Sequence, residues 1–300
     1  MYDVIVVGGG PAGMSTALVL GRARRRVLVC DSGEYRNYAA RAIHGYLTRD
    51  GVSPTEFRRI ARAELARYEG VELRDVRVAS AHRGPDRFEV TFLGGGSAEG
   101  RRLVIATGVV DELPEIPGFE TFFGRGVHHC PYCDGWEVRD RPLAVYGRGD
   151  AKGAGLALEL LLWSRSVVLC TDGPSGLSDR CSTKLARHGV PVRTERIVCL
   201  EGRDWLERVV FESGPPLECA ALFFNTACHL RSDLALRLGC DADAWNCRVD
   251  AKTGKTSVPG LYVVGDASRD VFQVIVAAAE GAEAAVTINR ELLSADGLLD

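Results

Sequence analysis

Several features that mark specialised classes of protein are missing from this chain of 300 residues. No uninterrupted apolar run is long enough to cross a bilayer, and residues 2–7 already have the pattern of a strand, which leaves no room for a signal peptide. The net charge is only −3, so there is no electrostatic reason to expect binding to nucleic acid or to an anionic membrane. The sequence therefore predicts a cytoplasmic protein that binds neither.

The sequence also lacks a second close pair of metal ligands. Cys130 and Cys133 form a Cys-x-x-Cys pair, but no second such pair and no His-x3-His completes a set of four zinc ligands. We therefore expect no metal site and favour a redox dithiol over zinc. We interpret the remaining cysteines as buried thiols in a reducing compartment. They are Cys30, Cys170, Cys181, Cys199, Cys219, Cys228, Cys240 and Cys247.

The N-terminal segment has the pattern of a dinucleotide-binding turn. The apolar run 4–7 predicts a parallel strand buried on both faces, and it leads directly into Gly8-Gly9-Gly10-Pro11-Ala12-Gly13. A helix and a second strand, 27–30, follow this motif. Asp31 stands at the end of that strand, where such folds hold a ribose hydroxyl.

The residue types in this motif suit the close approach of a pyrophosphate. Gly8 permits the tight turn, Gly10 lets the backbone come close to the phosphates, and Gly13 allows the helix to pack closely on the strand. Pro11 fits the first helical turn, whose free N–H groups face the phosphates. A glycine-rich turn without a ligand is disfavoured, because the strand, the helix and the acid all stand at the expected places.

A further helix is predicted from Ser53 to Tyr68 by a capping box and by apolar residues at helical spacing. Its arginines lie off the apolar stripe, and we interpret them as a solvated face. They are Arg58, Arg59, Arg62 and Arg67. Between Asp31 and this helix, residues 34–51 have little periodicity and several polar groups, so this segment either wraps a cofactor or simply connects two elements.

A second pattern of strand and glycine turn begins at residue 143 and then departs from the first. The strand 143–146 runs into Gly147-Arg148-Gly149-Asp150-Ala151-Lys152, in which Lys152 occupies the third small position. A long side chain there obstructs close contact between helix and strand, although Gly153 permits a shifted turn. The next strand leads to Asp172, with no arginine to hold a 2′-phosphate. We therefore expect the nucleotide fold to be present and NAD(P)H binding to be unfavourable.

The central stretch His128-His129-Cys130-Pro131-Tyr132-Cys133-Asp134 supplies the chemistry. A thiolate is the attacking species in disulfide exchange, and in a Cys-x-x-Cys motif near a helix start the thiol pKa falls to about 7 or below. Two neighbouring thiols resolve a mixed disulfide internally, and Asp134 can carry protons to and from the departing thiolate. His128 or His129 can do the same, or can be structural rings, and the sequence leaves this open.

Taken in order along nearly the whole chain, these motifs resemble the small thioredoxin reductase-like flavoproteins. The residues that carry the resemblance are Gly8-Gly9-Gly10-Pro11-Ala12-Gly13, Ala106-Thr107-Gly108, Cys130-Pro131-Tyr132-Cys133-Asp134-Gly135 and Gly265-Asp266. The resemblance implies an α/β fold of two Rossmann-like three-layer nucleotide-binding domains, the second inserted into the first. It implies a discontinuous FAD-binding domain at 1–112 and 230–300, and an inserted domain at 113–229 that carries the dithiol. It also implies a homodimer.

The resemblance further implies roles for single residues. Those expected to bind FAD are Gly8, Gly10, Pro11, Ala12, Gly13, Asp31, Asn37, Thr107, Gly108, Gly265, Asp266, Gln273 and Val274. Asp31 is expected to hold an FAD ribose and Asp266 to contact the ribityl chain, while the last helix points its positive end at the flavin. The catalytic residues are expected to be Cys133 facing the flavin, Cys130 exchanging with the substrate, Asp134 as the acid, and His129.

The second glycine turn departs from the reductases, which carry a small residue where Lys152 stands and an arginine-rich cluster where residues 169–173 stand. This gap resembles one branch, the FAD-dependent dithiol oxidases of the holomycin and gliotoxin type, whereas Asp134 resembles the reductases. We therefore predict an oxidase that forms a disulfide in a small-molecule dithiol and passes the electrons to oxygen. Two alternatives stay open: a reductase of thioredoxin or a related disulfide, driven by NAD(P)H or a protein donor, and a flavin redox sensor without turnover.

Overall fold

The structure, a computed structural model, describes residues 1–241, 247–268 and 271–299. The strands, in chain order, are β1 (Tyr2–Val7), β2 (Val27–Cys30), β3 (Val71–Arg74), β4 (Val78–Arg83), β5 (Phe88–Phe92), β6 (Ser97–Ile105), β7 (Val109–Asp111), β8 (Val127–His128), β9 (Leu143–Tyr146), β10 (Val167–Cys170), β11 (Val192–Arg193), β12 (Ile197–Gly202), β13 (Leu206–Phe211), β14 (Leu217–Glu218), β15 (Ala221–Phe224), β16 (Cys228–Leu230) and β17 (Leu261–Val263). The α-helices are α1 (Pro11–Arg22), α2 (Pro54–Leu65), α3 (Phe119–Phe122), α4 (Pro131–Asp134), α5 (Leu156–Glu159), α6 (Asp179–Arg187), α7 (Leu234–Arg237) and α8 (Val274–Ala295). Short 3₁₀ turns lie at Trp136–Val138, Leu160–Leu162 and Gly265–Ala267, and a π-helix spans Gly149–Gly155.

The chain forms two compact units. Their segments are Met1–Tyr38, Tyr46–Val110 and Cys228–Asp300 for the first unit, and Ala39–Gly45 and Asp111–Ala227 for the second. The sequence did not predict that Ala39–Gly45 belongs to the second unit. It does so because Ala39 lies so close to Gly124 that a Cβ on this glycine would overlap the Ala39 carbonyl, and because Arg41 lies 4.8 Å from the ring centre of Trp205.

In the first unit, the long strand β6 joins two kinds of sheet. It takes part in the parallel sheet β3-β2-β1-β6-β17, in which its last residues pair with both β1 and β17. Its first residues pair instead with the antiparallel hairpin of β4 and β5. The carboxyl ends of parallel strands meet at one edge of a sheet, which in these folds is the ligand-binding edge.

Strand β1 is buried on both faces of this sheet, as its continuous apolar run predicts. Val4 and Val6 pack with α1 and α8 in one cluster, and Ile5 and Val7 pack with the β4–β5 hairpin in another. Helices α1 and α8 are in close contact. At this contact, Thr16 Oγ1 donates a hydrogen bond of 3.1 Å to the carbonyl oxygen of Gly281. This packing fixes the start of α1 beside the glycine turn that precedes it.

The second unit has its own parallel sheet, in the order β11-β10-β9-β15-β8. The antiparallel strands β12, β13 and β14 contribute to the apolar cluster on one face of this sheet. The predicted α/β architecture built on parallel sheets is therefore confirmed. Within the described ranges, no helix combines the length and the apolarity that a bilayer crossing requires, and no three His, Cys, Asp or Glu side chains are grouped to hold a metal ion.

Candidate active site

The dithiol lies at the start of a single helical turn. Cys130 and Cys133 form a disulfide, with 5.2 Å between their Cα atoms. The carbonyl oxygen of Cys130 accepts hydrogen bonds from the backbone N–H groups of Cys133 at 3.1 Å and Asp134 at 3.2 Å. Both cysteines are half-buried. The turn therefore keeps the two sulfurs and the Asp134 carboxylate together on one short element, α4.

The histidine that lies against Asp134 is His128. Its Nδ1 atom is 3.3 Å from Asp134 Oδ1. The ring of His129 packs instead beside Phe123 and Phe224, with centroid distances of 6.1 Å and 6.3 Å. The sequence left both histidines open as proton carriers, and only the fold distinguishes them. The catalytic role expected of His129 stays a prediction.

Aromatic side chains flank the dithiol, and sequence reasoning did not single them out. Tyr132, between the two cysteines, is 61% exposed and packs edge-to-face on Trp163, with 5.4 Å between ring centroids. Trp136 is also exposed, and the guanidinium of Arg139 lies 4.0 Å from its ring centre. An exposed aromatic group next to the reactive sulfurs offers apolar contact to a substrate.

The first glycine turn has the geometry that a pyrophosphate requires. Gly8 has a φ of 115°, and a Cβ there would overlap the carbonyl oxygen of Ala106. A Cβ on Gly13 would overlap the carbonyl oxygen of Gly8, so the helix lies directly on the turn. A Cβ on Gly10 would meet nothing within 4 Å, and no side chain caps α1, which begins at Pro11. The first-turn N–H groups thus face space that an anion can occupy.

Asp31, at the end of β2, is 2% exposed and is held by two arginines of α2. Its Oδ2 atom accepts hydrogen bonds from Arg58 Nη2 at 2.7 Å and from Arg62 Nη1 at 3.0 Å. The interpretation as a solvated face was therefore wrong for Arg58 and Arg62, because the register of α2 on the sheet turns them toward Asp31, whereas Arg59 and Arg67 are exposed. Gly9 was also missed: a Cβ there would overlap the Asp31 carboxylate.

Thr107, in the segment after β6, has an unsatisfied polar side-chain atom. Thr107 Oγ1 is buried, and within the described residues it makes no hydrogen bond. The next residue, Gly108, has a φ of 69°. A buried hydroxyl without a partner costs free energy, so a bound polar molecule at this edge would satisfy it. Together with the open turn at Gly10, this fits FAD in the first unit.

The other residues expected to hold FAD lie in the same unit. Asp266 forms an ion pair with Arg36, at 3.1 Å, and Asn37 is half-buried in the turn that carries this arginine. Gly265 has a φ of 75°, and its N–H donates to Glu280 Oε2 at 2.8 Å. Gln273 is the N-cap of α8 and Val274 its first residue, with no acidic residue in the first turn. The first turn of α8 therefore carries no carboxylate of its own that would compete for its positive end.

The second glycine turn is shifted by one residue. The segment Gly149–Gly155 is a π-helix, which accommodates one more residue than an α-helical turn. A Cβ on Gly153 would lie 3.1 Å from the carbonyl oxygen of Gly147, so Gly153 fills the close-contact position, while Lys152 is exposed. The prediction that Lys152 obstructs this contact was wrong, because the extra residue turns its side chain toward solvent.

Arginines also reach the loop after β10 from elsewhere in the second unit. Arg148 Nε donates to the carbonyl oxygen of Thr171 at 2.6 Å, and Arg196 Nη1 donates to that of Asp172 at 3.3 Å. Asp172 Oδ1 accepts a hydrogen bond from the N–H of Ile197 at 2.8 Å. The sequence did not reveal these arginines, since neither is adjacent to Asp172 in the chain.

Comparison with known proteins adds context to this geometry. The profile of the family described as pyridine nucleotide-disulphide oxidoreductase matches residues 2–282. A protein of Arthroderma benhamiae named "Probable thioredoxin reductase" is 34% identical over 303 residues, which cover 90% of this chain and 74% of the relative. The crystal structure of HlmI is 36% identical, with a TM-score of 0.94 over 99% of this chain and 94% of that chain. An oxidoreductase of Agrobacterium tumefaciens is 34% identical, with a TM-score of 0.91 over 98% and 99%.

Proposed function

Because this chain belongs to the pyridine nucleotide-disulphide oxidoreductase family, as an enzyme of the thioredoxin reductase-like kind, we propose that it is an FAD-dependent dithiol oxidase. Family membership confirms the resemblance that the motifs predicted, and with it a disulfide oxidoreductase whose relatives imply FAD. The finer statements are our proposal: the substrate is a small-molecule dithiol, and the electrons go to oxygen.

The proposed exchange runs through the two cysteines. A substrate thiolate attacks Cys130 Sγ, and the bond between Cys130 and Cys133 breaks with its electron pair on Cys133. The second substrate thiol then attacks the substrate sulfur of the mixed disulfide and releases Cys130. The substrate has lost two electrons and two protons to form its own disulfide, and the enzyme holds a reduced dithiol. Asp134 moves the protons between the incoming thiol and the departing thiolate.

FAD is proposed to lie in the first unit. The backbone of Gly8–Gly13 would hold the pyrophosphate, Asp31 a ribose, Thr107 Oγ1 a polar atom of the cofactor, and Asp266 the ribityl chain. When bound there, FAD would supply the two-electron chemistry that carries the electron pair from the reduced dithiol to oxygen, with peroxide as the product.

The placement of unsatisfied polar atoms carries this proposal. Buried side-chain atoms without a hydrogen bond include Thr107 Oγ1 beside the first glycine turn and His128 Nε2 beside the dithiol. In the parts of the chain that the structure describes, the second glycine turn and the loop after β10 have no such atom. An unmet polar group that lies at a candidate site, unlike Arg102 Nε on β6, indicates where a ligand or a reaction would complete that site. This favours flavin and dithiol over nicotinamide.

The test is an anaerobic mixing experiment with the purified holoenzyme. A small dithiol, NADH and NADPH are added separately, flavin absorbance is followed, and oxygen is then admitted. We expect the dithiol alone to bleach the flavin, and oxygen to restore the colour with one peroxide per disulfide. Rapid bleaching by NADPH or NADH, with none by the dithiol, would refute the oxidase.

A matched pair of variants controls this experiment. Cys133→Ser should abolish bleaching by the dithiol while FAD stays bound, because the electron pair no longer reaches the cofactor. Cys181→Ser replaces a thiol on α6, outside the proposed relay, and should behave as wild type. Bleaching retained in Cys133→Ser would contradict the assigned relay.

A reductase driven by NAD(P)H is the second candidate, and one observation favours it. Gly153 restores the close contact of the second glycine turn, so the obstruction expected from Lys152 is absent there. The substrate would then be thioredoxin or a related protein disulfide, and electrons would run in the opposite direction. The same mixing experiment distinguishes the two directions. A flavin that responds to none of these donors would leave a reductase driven by a protein electron donor, or a redox sensor without turnover.

The resemblance also implies a homodimer, which we propose on that ground, while the cytoplasmic location stays a prediction from the sequence. Sedimentation at low concentration measures the first, and cell fractionation measures the second. Sedimentation as a monomer across the concentrations measured would contradict the homodimer.

A further inference from the structure

His128 occupies an apolar position that a nonpolar ring would fill equally well. The residue is 5% exposed, and its ring centroid is 5.8 Å from that of Trp205 and 5.6 Å from that of Phe223. Its backbone is held in the parallel ladder opposite Phe223. Among the described residues, Nε2 has no hydrogen-bond partner. A buried imidazole with an unused nitrogen costs folding free energy, so packing alone does not account for it.

The position of the other ring nitrogen, Nδ1, explains why a histidine rather than a nonpolar ring stands here. Nδ1 lies 3.3 Å from Asp134 Oδ1, a close polar contact just outside the usual range of hydrogen-bond distances. We assign the Nδ1–H tautomer, in which the ring donates toward the carboxylate and Nε2 keeps only a lone pair. This choice is favoured because a bare acceptor is tolerated in the interior more often than an unpaired N–H.

The charged surroundings of the ring are simple. Asp134 is in direct contact with it. Arg41 lies 4.8 Å from the ring centre of Trp205, which packs against His128. Tyr132, on the same turn as Asp134, has a pKa raised by its hydrogen bond to Glu159 and so stays neutral near neutral pH. The carboxylate of Asp134 is therefore the group through which His128 can influence the dithiol.

We propose that His128 is a positioning residue that holds the Asp134 carboxylate for proton transfer during thiol–disulfide exchange, which rests on the dithiol function proposed above. In that step the incoming thiol gives its proton to Asp134 and attacks Cys130 Sγ. The sulfur–sulfur bond breaks, and Cys133 Sγ leaves with the electron pair and takes the proton from Asp134. His128 keeps the carboxylate oriented throughout. The locked ring reduces the conformational freedom that a half-exposed carboxylate would otherwise have.

The test measures how fast dithiothreitol reduces the Cys130–Cys133 disulfide in the purified holoenzyme. Samples are quenched with an alkylating agent at successive times, and labelled thiols are counted by mass spectrometry over a range of pH. H128F fills the aromatic position without the donor, and we expect exchange to be about 10-fold slower, with its pH dependence displaced to higher pH. H128N places an amide N–H near the position of Nδ1 and should restore most of the rate. H188Q changes an exposed histidine at the end of α6 and should match wild type.

A double variant separates positioning from a purely structural role. If His128 acts through Asp134, H128F should cause no further loss in a D134N background. The proposal is overturned if H128F matches wild type in rate and pH profile, if its loss persists in full in D134N, or if H128N is no better than H128F. Should H128F fail to fold, H128Q takes its place in both comparisons, because the longer glutamine side chain puts its amide near the position of Nε2 and leaves no N–H at the position of Nδ1.

The outcome is independent of the oxidase assignment. Without oxygen and with excess dithiothreitol, FAD can take only one electron pair from the dithiol. Further exchange leaves the sulfurs reduced, so labelled thiols accumulate whether or not the flavin responds. A holoenzyme whose flavin ignores small dithiols would refute the oxidase and leave the comparison of the His128 variants intact. Conversely, unchanged exchange in H128F with normal dithiol turnover would refute only the role of His128.

Discussion

The glycine turns of the two units, Gly8–Gly13 and Gly147–Gly155, start alike and then differ. In each, a later glycine lies against the carbonyl oxygen of the first: Gly13 against Gly8, and Gly153 against Gly147. The numbers differ by five in the first turn (13 − 8) and by six in the second (153 − 147). The first turn leads into a regular α-helix, whereas the second leads into a π-helix.

The second turn therefore keeps the close contact between a glycine and a carbonyl oxygen, although it does not keep the glycine spacing that usually predicts this contact. A π-helical turn absorbs one inserted residue without breaking the helix that follows. The contact between helix and turn thus survives in the second unit although the motif, counted residue by residue, does not. The presence of Lys152 at the third small position is therefore only weak evidence that the second unit has lost its nucleotide site.

Deleting one residue from each turn gives the largest expected effect. Removal of Ala12 brings Met14 into the position of Gly13, where its Cβ would overlap the carbonyl oxygen of Gly8. We expect a loss of more than about 3 kcal/mol of stability, together with loss of bound FAD. Removal of Lys152 brings Gly153 into the third small position of a regular turn, so stability should change by less than about 1 kcal/mol. Urea unfolding and flavin absorbance measure both.

The opposite ranking would break the comparison. If deletion of Lys152 is as damaging as deletion of Ala12, the π-helix is a required part of the second unit rather than an absorbed insertion. A Lys152→Ala variant is the matched control, since it shortens the exposed side chain and keeps the length of the turn.

Local patterns predicted the strands and glycine turns because their causes are local. The apolar run of β1, the order of glycines after it and the acid at the end of β2 need only neighbouring residues to act. The dithiol pair, Cys130 and Cys133, is likewise visible from spacing alone. These parts of the site needed no knowledge of tertiary structure.

The parts that sequence reasoning missed depend on how elements face each other. Arg58 and Arg62 lie on a polar helix face, and only the docking of α2 shows that this face covers Asp31. His128 ends β8 and His129 follows in a bend, so their rings pack on different neighbours, Phe223 and Phe224. The register of His128 is set by its pairing with β15. Both misses are tertiary, which is why composition and spacing gave no signal.

Asp31 and Asp172 follow the second strand of each glycine-turn unit. Removing an arginine beside each carboxylate should change stability less than the deletions do. Arg58 is 13% exposed at the side chain and bonds a buried carboxylate, whereas Arg196 is 66% exposed and lies 3.8 Å from Asp172 Oδ2. We expect Arg58→Met to cost about 2 kcal/mol, since Arg62 still holds Asp31, and to weaken FAD binding. Arg196→Met should cost less than about 0.5 kcal/mol.

Urea unfolding and flavin titration measure this pair of variants. Equal losses of stability in the two variants would mean that burial does not distinguish the two carboxylates, and this would contradict the comparison. A loss of FAD in Arg58→Met without loss of stability would sharpen it, since it would make Arg58 a cofactor residue.

Cys30 and Cys170 end the same two strands. We expect the two thiols to contribute alike to the pH dependence of stability, with no change in stability near neutral pH. Burial raises the pKa of each thiol to about 12. An unfolded thiol ionises near pH ~8.5, so above that pH the unfolded state binds fewer protons than the native state. Their stabilising contribution is thus complete below pH ~8.5 and falls as the pH rises toward the native values.

At pH ~8 neither native thiol should be alkylated by iodoacetamide, which peptide mapping measures, because the attacking thiolate is scarce and covered. Between pH ~9 and ~11 the urea midpoint of wild type should fall more steeply than that of Cys170→Ala, because the variant lacks one of the linked thiol protons. Cys30→Ala should show the same reduction in slope. Rapid labelling of one thiol but not the other in the native state would show that the two strand ends, similar in sequence and burial, differ in how readily their units open.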